Sequence, residues 1–499
     1  MYVNIKKSVQ LLGVLFVFNS ISDLYANEEI MQKQNKVILK SDPIILQYDN
    51  VGDFINGFAE VYKDKKVGLI DKTGKEIISP KYTSVFKLKD DNLMVVCTGK
   101  ETVLFGTHFN ILPNKCGLID NQENIIVDFK YNTIGAFKNG LAQVCIGNNC
   151  YLDKGKNHHK YGYIDKTGKE IIPAQYDCMS DFIDGLAVAC IDDKAIFIDR
   201  TGKKVSQSTY DTANNFSENI ASVRKDGKWQ LIDKNWKTIA IMPKKYHHIH
   251  DFENGLALVS IYQKDIDKFK KGVINKKGKE IIPTEYDSIQ RRNGFFIVNK
   301  DKKSGIVDNK GKQVTPIQYE DFIYTSDEID LLGVCQNNQC GFIDKTGKEI
   351  VPLKYDSVGN FVEGFALVKK NNKEGFIDKN GKEIIPLKYE YIGYFENGLT
   401  TAKKDENHWV IVDTKGNEVL DINTGNFYSG DLEYKEIWIE KNKKLGLINI
   451  KGEQIIPCEY DTNYGPPKFI DGLAKARLNG EWVFIDRMNN IIMKINNKK

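Results

Sequence analysis

Nine cysteines and the cluster His247-His248-Ile249-His250-Asp251 are the residues of this 499-residue chain best suited to chemistry. Cysteine serves as metal ligand or nucleophile in a reducing compartment and forms disulfides in an oxidising one. If the histidine segment is extended, His248 and His250 share a face, which makes them candidate metal ligands. Two ligands alone leave a metal site incomplete. His158-His159 sits in a separate inserted loop, KGKNHHKYG. A recurrent Asp invites a calcium reading, yet Lys and Thr stand where a calcium loop needs oxygen ligands. No G-x-S-x-G elbow, no G-x-x-x-x-G-K-[ST] and no H-E-x-x-H occurs, so no catalytic residue and no cofactor is assigned. Cys458 as a nucleophile would need a His partner that nothing in the sequence supplies.

The N-terminus decides how the cysteines are read. Lys6 and Lys7 precede a mostly apolar run from Val9 to Ile21, and Leu24-Tyr25-Ala26 offers a cleavage site before Asn27. This is the pattern of a secretory signal peptide over residues 1–26. The apolar run is shorter than the roughly 20 residues a spanning helix needs. The mature chain is therefore expected to be exported, periplasmic or secreted, and not membrane-spanning. Lys+Arg 71 against Asp+Glu 67 gives a net charge of +4 with no basic stripe, which argues against nucleic acid as partner.

What must position these residues is a repeat. GFIDKTGKEIVP from Gly341 recurs from Gly68, Gly162, Gly272 and Gly375. Aligned on the residue ending the G-[apolar]-I-D element, twelve copies appear, from Asp71 to Asp486, with a basic period of about 34 residues. Residues 27–47 form a polar lead-in, 48–493 the array and 494–499 a tail. Within a unit, runs of four to six apolar-rich residues separated by Asn/Gly/Lys turns read as strands. Asp opens a turn whose following N–H groups it caps, and Gly three residues on takes the left-handed conformation. Asp71 with Gly74, Asp165 with Gly168, Asp344 with Gly347 and Asp378 with Gly381 all fit. The Pro after the Ile pair is expected to end its strand. Lys75, Lys169, Lys348 and Lys382 make an exposed row that guards an edge.

Adjacent strand residues face opposite sides, so Phe376-Ile377 and Ile384-Ile385 make both faces of a unit apolar. One unit cannot cover both, and neighbours must stack on it. The expected fold is all-β: about twelve tandem three-stranded β-hairpin units. An open superhelical stack is favoured over one or two β-propellers, whose blades of roughly 40–45 residues are longer. Tyr48 also begins a unit and Ile491-Ile492 ends one, so no split unit advertises closure.

Cys97, Cys145 and Cys335 end the strand before the hairpin, Cys116 and Cys340 precede the Gly of the next, and Cys150 opens the far side of its own. Facing positions predict Cys97–Cys116, Cys145–Cys150 and Cys335–Cys340 disulfides, with Cys178–Cys190 as a fourth between neighbouring strands. Cys458 is left over.

The blocks F-x-x-G-[LF]-A, G-[FLY]-I-D and G-K-E-I-I-P resemble those of the bacterial WG-repeat (KWG-repeat) family over roughly residues 48–493. The resemblance implies an all-β repeat protein, often exported. Trp229, Trp409 and Trp482 stand at the Trp position, each followed by a residue other than Gly. The hairpin is also similar to those of choline-binding, cell-wall-binding repeats. The function expected is a non-catalytic binding scaffold of the cell envelope that engages a protein or glycan through its repeat surface and inserted loops. One alternative is a cell-wall (peptidoglycan) binding module. Another is an enzyme with a site built from the insertions 86–115 and 146–160 and from His247–Asp251.

Overall fold

The structure, a computed structural model, describes residues 42–88, 92–99, 115–147, 150, 159–292, 294–323, 331–406, 408–422 and 426–496. The signal peptide, most of the lead-in, His158 and much of both early insertions lie outside the described residues. The unit starting after Tyr355 shows how the sequence becomes structure. Four antiparallel strands, Ser357–Val362, Phe365–Lys370, Lys373–Asp378 and Glu383–Tyr389, follow one another in a meander. The first, from the segment after the Tyr, adds to the three read from sequence, and among the described residues the sheets have three or four strands, the last two units being fused into one larger sheet.

Stacking follows from burial as the alternation requires. Ile377 packs with Phe342, Val351 and Val368 between the eighth and ninth units. Its neighbour Phe376 packs with Ile385, Ala402 and Val410 between the ninth and tenth. Both rings of contact are closed to water, with Phe376 and Ile377 at 0% exposure. Each such side chain contributes about 1.5–3 kcal/mol by leaving water. The next unit adds a polar tie at the same boundary. Tyr389 donates its hydroxyl to Glu418 at 3.0 Å, as Tyr131 does to Glu170 at 2.6 Å.

The turns are built by the Asp. Asp344 Oδ1 accepts from the Thr346 and Lys348 N–H groups at 2.8 and 3.0 Å, and Asp378 Oδ1 from Asn380 and Lys382, both at 2.9 Å. Asp71 and Asp165 repeat the arrangement, and the Thr73 and Thr167 hydroxyls hold their carboxyls below the usual range. Gly74, Gly168, Gly347 and Gly381 all have φ between 76° and 84°.

The Pro does not end its strand. Pro352 lies inside Glu349–Tyr355, and pairing resumes beyond it at Tyr355, opposite Cys340. The ladder slips there, so Pro sits in a bulge where no N–H is demanded. That bulge explains the glycine of G-F-I-D. A Cβ on Gly341 would meet the Val351 carbonyl oxygen at 2.4 Å, and on Gly375 the Ile385 oxygen at 2.4 Å. In units with Trp, the last strand is shorter: Thr238–Ile241, Glu418–Ile422 and Ile491–Ile495. These pair directly opposite Gln230, Val410 and Val483, so the residue after Trp has room for a side chain. Trp and Gly are separated in this chain because the bulge that requires Gly is missing wherever Trp stands.

The first and last units also meet. Phe54 packs edge-on against Phe484 with ring centres 5.2 Å apart, as Phe395 packs on Phe376 at 4.8 Å. Gly57 N–H donates to the Asp471 carboxylate at 2.7 Å, as Gly398 N–H donates to Glu363 at 2.9 Å. Asn496 N–H donates to the Leu46 carbonyl at 2.8 Å, so the end of the lead-in joins the edge of the last sheet. The last unit stands to the first as each unit stands to its successor. These contacts join the first unit to the last.

Candidate functional site

Cross-strand register reveals where the units differ. One row crosses each sheet next to the hairpin between its second and third strands. It reads Ser84–Cys97–Cys116 in the second unit, Cys178–Cys190–Ala195 in the fourth and Thr212–Arg224–Trp229 in the fifth. It continues as His248–Ser260–Lys271, Asp321–Cys335–Cys340 and Tyr391–Lys403–Trp409, and ends with Arg477–Trp482. The row beside it is nearly uniform, with Val96, Val144, Val223, Val334 and Val368 at its centre, all 0–1% exposed. Seven of the eight paired cysteines, three tryptophans and His248 therefore share one position along a single rim. Aligning the residue before each Gly would have exposed this row from sequence alone.

All four cysteine pairs stand at disulfide distance. Cys97–Cys116, Cys178–Cys190 and Cys335–Cys340 are direct cross-strand partners with Cα atoms 3.9, 4.8 and 4.1 Å apart. Cys145 and Cys150 are joined as well, with Cα atoms 6.1 Å apart, but by a different route. The residue opposite Cys145 in the ladder is Tyr161, so Cys150 reaches it from the inserted loop, not from the facing strand. An open pocket of about 350 Å³ lies there between the third and fourth units, edged by Tyr161, Cys150, Cys178 and Gln143. Cys458 is unpaired and half-buried, and burial pushes its thiol up, away from the nucleophilic thiolate.

His248 and His250 do share a face, with ring centres 4.5 Å apart. Around them are aromatic groups: Trp229 lies 5.8 Å from His248, and its Nε1 donates to the His247 carbonyl at 3.1 Å. No three His, Cys, Asp or Glu side chains converge on a metal position among the described residues. His247 packs on Phe269 at 4.9 Å, on a lengthened hairpin that also exposes Tyr262 and Ile266.

The aromatic part of the rim runs over the last three units. Trp409 stacks on Phe427 with ring centres 4.6 Å apart and planes 25° apart, and Tyr391 meets it edge-on at 6.0 Å. Trp482 meets Tyr464 at 4.9 Å, and the Arg477 guanidinium lies 5.6 Å over Trp482 and hydrogen-bonds the Tyr464 hydroxyl. Tyr391 and Tyr464 are 50% and 57% exposed. Sequence reading found the two tryptophans but missed Tyr391, Phe427, Tyr464 and Arg477, which only register brings beside them.

Tandem β units with this turn chemistry define a β-repeat protein. The model described as "WG containing repeat" matches residues 44–66, 68–100, 117–150, 161–194, 197–229, 272–303, 305–340, 341–373, 375–407 and 446–482, and the chain belongs to that family. The unmatched stretches 230–271 and 408–445 include two of the three short last strands. No curated protein matches the chain. Among solved structures, a eukaryotic initiation factor is similar at 10% identity, over 72% of this chain and 93% of that one, with a TM-score of 0.31. BamB from Moraxella catarrhalis is similar at 12% identity, over 57% and 94%, with a TM-score of 0.24. The extracellular domain of a putative one component system from B. thetaiotaomicron is similar at 11% identity, over 92% and 79%, with a TM-score of 0.20.

Proposed function

We propose that this chain is an exported, non-catalytic binding scaffold of the bacterial cell envelope, which engages a protein or glycan through the rim where its units differ. One observation carries the reading. Turn residues and core valines repeat from unit to unit, while chemically distinctive side chains collect in a single row. Cross-linking accounts for the cysteines of that row, whereas the variation among its other side chains suits a repeat surface that meets a ligand. Four disulfides suit an oxidising compartment. No helix among the described residues is long and apolar enough to cross a membrane. The test is retention of the purified mature chain on separated envelope fractions: sacculi, polysaccharide and membrane protein. Saturable retention on one fraction is expected, and retention on none of them at low salt sinks the proposal.

A further inference from the structure

Three of the four disulfides tie residues that a ladder already holds opposite each other: Cys97–Cys116, Cys178–Cys190 and Cys335–Cys340. The fourth does not. Tyr161 takes the place opposite Cys145, and Cys150 lies outside every strand. The Cys150 carbonyl accepts from the Tyr161 hydroxyl at 3.2 Å, which sets this cysteine beside the ring. Cys145 is fully buried and Cys150 half-buried at the edge of the open pocket. The bond therefore runs from the pocket wall into the core.

At about 350 Å³ this pocket falls at the lower end of small-molecule sites. Thr133 and Gly135 edge it from the third unit and Met179 from the fourth, and Gln143 Nε2 donates to the Met179 carbonyl at 2.9 Å across the boundary. A thiolate opens a disulfide by attacking one sulfur and displacing the other, so access to the attacked sulfur governs the reaction. Cys97, Cys116 and Cys340 are buried. Where cysteines face across a ladder, the sulfur set free stays beside the one attacked and expels the newcomer. Cys150 has no ladder to hold it opposite Cys145, so a newcomer can stay.

We propose that Cys145–Cys150 is a thiol-exchange site whose pocket admits a low-mass thiol of the glutathione or cysteine class. The incoming thiol gives its proton to water, and its sulfur attacks Cys150 Sγ. As the new S–S bond forms, the Cys145–Cys150 bond breaks, its electron pair leaves on Cys145 Sγ, and that sulfur takes up a proton. The newcomer is oxidised to a mixed disulfide and Cys145 is reduced to a thiol, so no further oxidant enters. Cys145 is left as a buried thiol, where little thiolate forms to attack back. The site asks nothing of an envelope ligand, so it and the scaffold reading fail separately.

The experiment uses the full mature chain with Cys458→Ser, so that every thiol found comes from a disulfide. It is incubated in glutathione buffers of rising reduced fraction, quenched with acid, capped with N-ethylmaleimide and mapped by peptide mass spectrometry. Glutathione on Cys150 with maleimide on Cys145 is expected at a reduced-to-oxidised ratio at least tenfold below the one that opens any other pair. A Cβ on Gly135 meets nothing nearer than 3.5 Å, so Gly135→Leu should fold, fill the pocket and slow the adduct at least fivefold. Thermal unfolding within a few degrees of the parent checks that fold, and Thr133→Leu on the same wall replaces the variant if it unfolds. Cys178→Ser with Cys190→Ser should leave the Cys150 adduct in place. All four pairs opening together, Cys178–Cys190 opening first, glutathione on Cys145 instead of Cys150, or an unchanged rate in the pocket-filling variant each overturns the site.

Discussion

The eighth and tenth units put the same backbone position to opposite uses. In the eighth, Cys335 and Cys340 face each other and a covalent bond fastens the hairpin. In the tenth, Lys403 faces Trp409, and the ring extends the surface toward Tyr391 and Phe427. The strand beyond changes with the row. It is bulged around Pro352 behind Gly341, and straight behind Val410. One rim thus carries two kinds of unit, one cross-linked and one aromatic, and the fourth strand decides which residues can follow the rim position.

The largest effect should come from forcing one kind of unit into the other. Gly341→Val installs in the eighth unit what the tenth carries naturally. Its Cβ would lie 2.4 Å from the Val351 oxygen and 2.6 Å from the Pro352 oxygen, both backbone atoms that cannot swing aside. A loss of more than about 4 kcal/mol is expected, seen as rapid hydrogen exchange over Glu349–Tyr355. Replacing that strand with the shorter Glu418–Ile422 sequence should restore protection; if Gly341→Val is harmless without that replacement, the link between bulge and glycine is wrong.

Next in size are the cross-links. Removing Cys97 and Cys116, 19 residues apart, should cost about 3 kcal/mol. Removing Cys335 and Cys340, 5 apart, should cost about 2 kcal/mol. Chemical denaturation with and without reductant measures both, and each variant should lose less on reduction than the parent does, by about the contribution of the cross-link it lacks. A smaller loss, about 1 kcal/mol, is expected for Asp344→Ala, because an exposed carboxylate gives up its two turn hydrogen bonds.

The smallest effect contrasts a covalent tie with an ionic one. Burial alone would raise the Glu418 carboxyl, but hydrogen bonds from Lys404, Lys388 and Tyr389 outweigh it and bring it down to about 2. A carboxyl depressed on folding adds stability above its ordinary value of 4.5, and that contribution is lost as pH falls toward about 2. Acid should therefore loosen the boundary between the ninth and tenth units while leaving the cysteine rows tied. Glu418→Gln should flatten the acid limb of a pH–stability profile, and an unchanged limb counts against the ionic tie.

Much of this was legible in the sequence because it is local. Asp and Gly fix a turn within five residues, and the adjacent pair Phe376-Ile377 states that both faces are covered. The Pro was misread because proline says only that an N–H is missing, and a bulge meets that condition as well as a strand end. Cys150 was placed on a facing strand because the inserted loop hides which residues pair. The aromatic part of the rim was only half visible: Trp409 stands out, but its contact with Phe427 crosses from one unit to the next, and register is not written in residue spacing. The meeting of Phe54 with Phe484 was not visible at all, since it joins residues more than 400 positions apart.

That meeting bears on the order of events during synthesis. The chain is made N-terminus first, so Phe54 and Gly57 emerge long before Asp471 and Phe484. Until the final unit follows, the first has one apolar face with nothing against it. Completion of the earliest part of the molecule waits on the latest. A stop codon near residue 470 would remove one unit and leave the opposite end of the array uncovered, so late truncations should be felt first at the N-terminus.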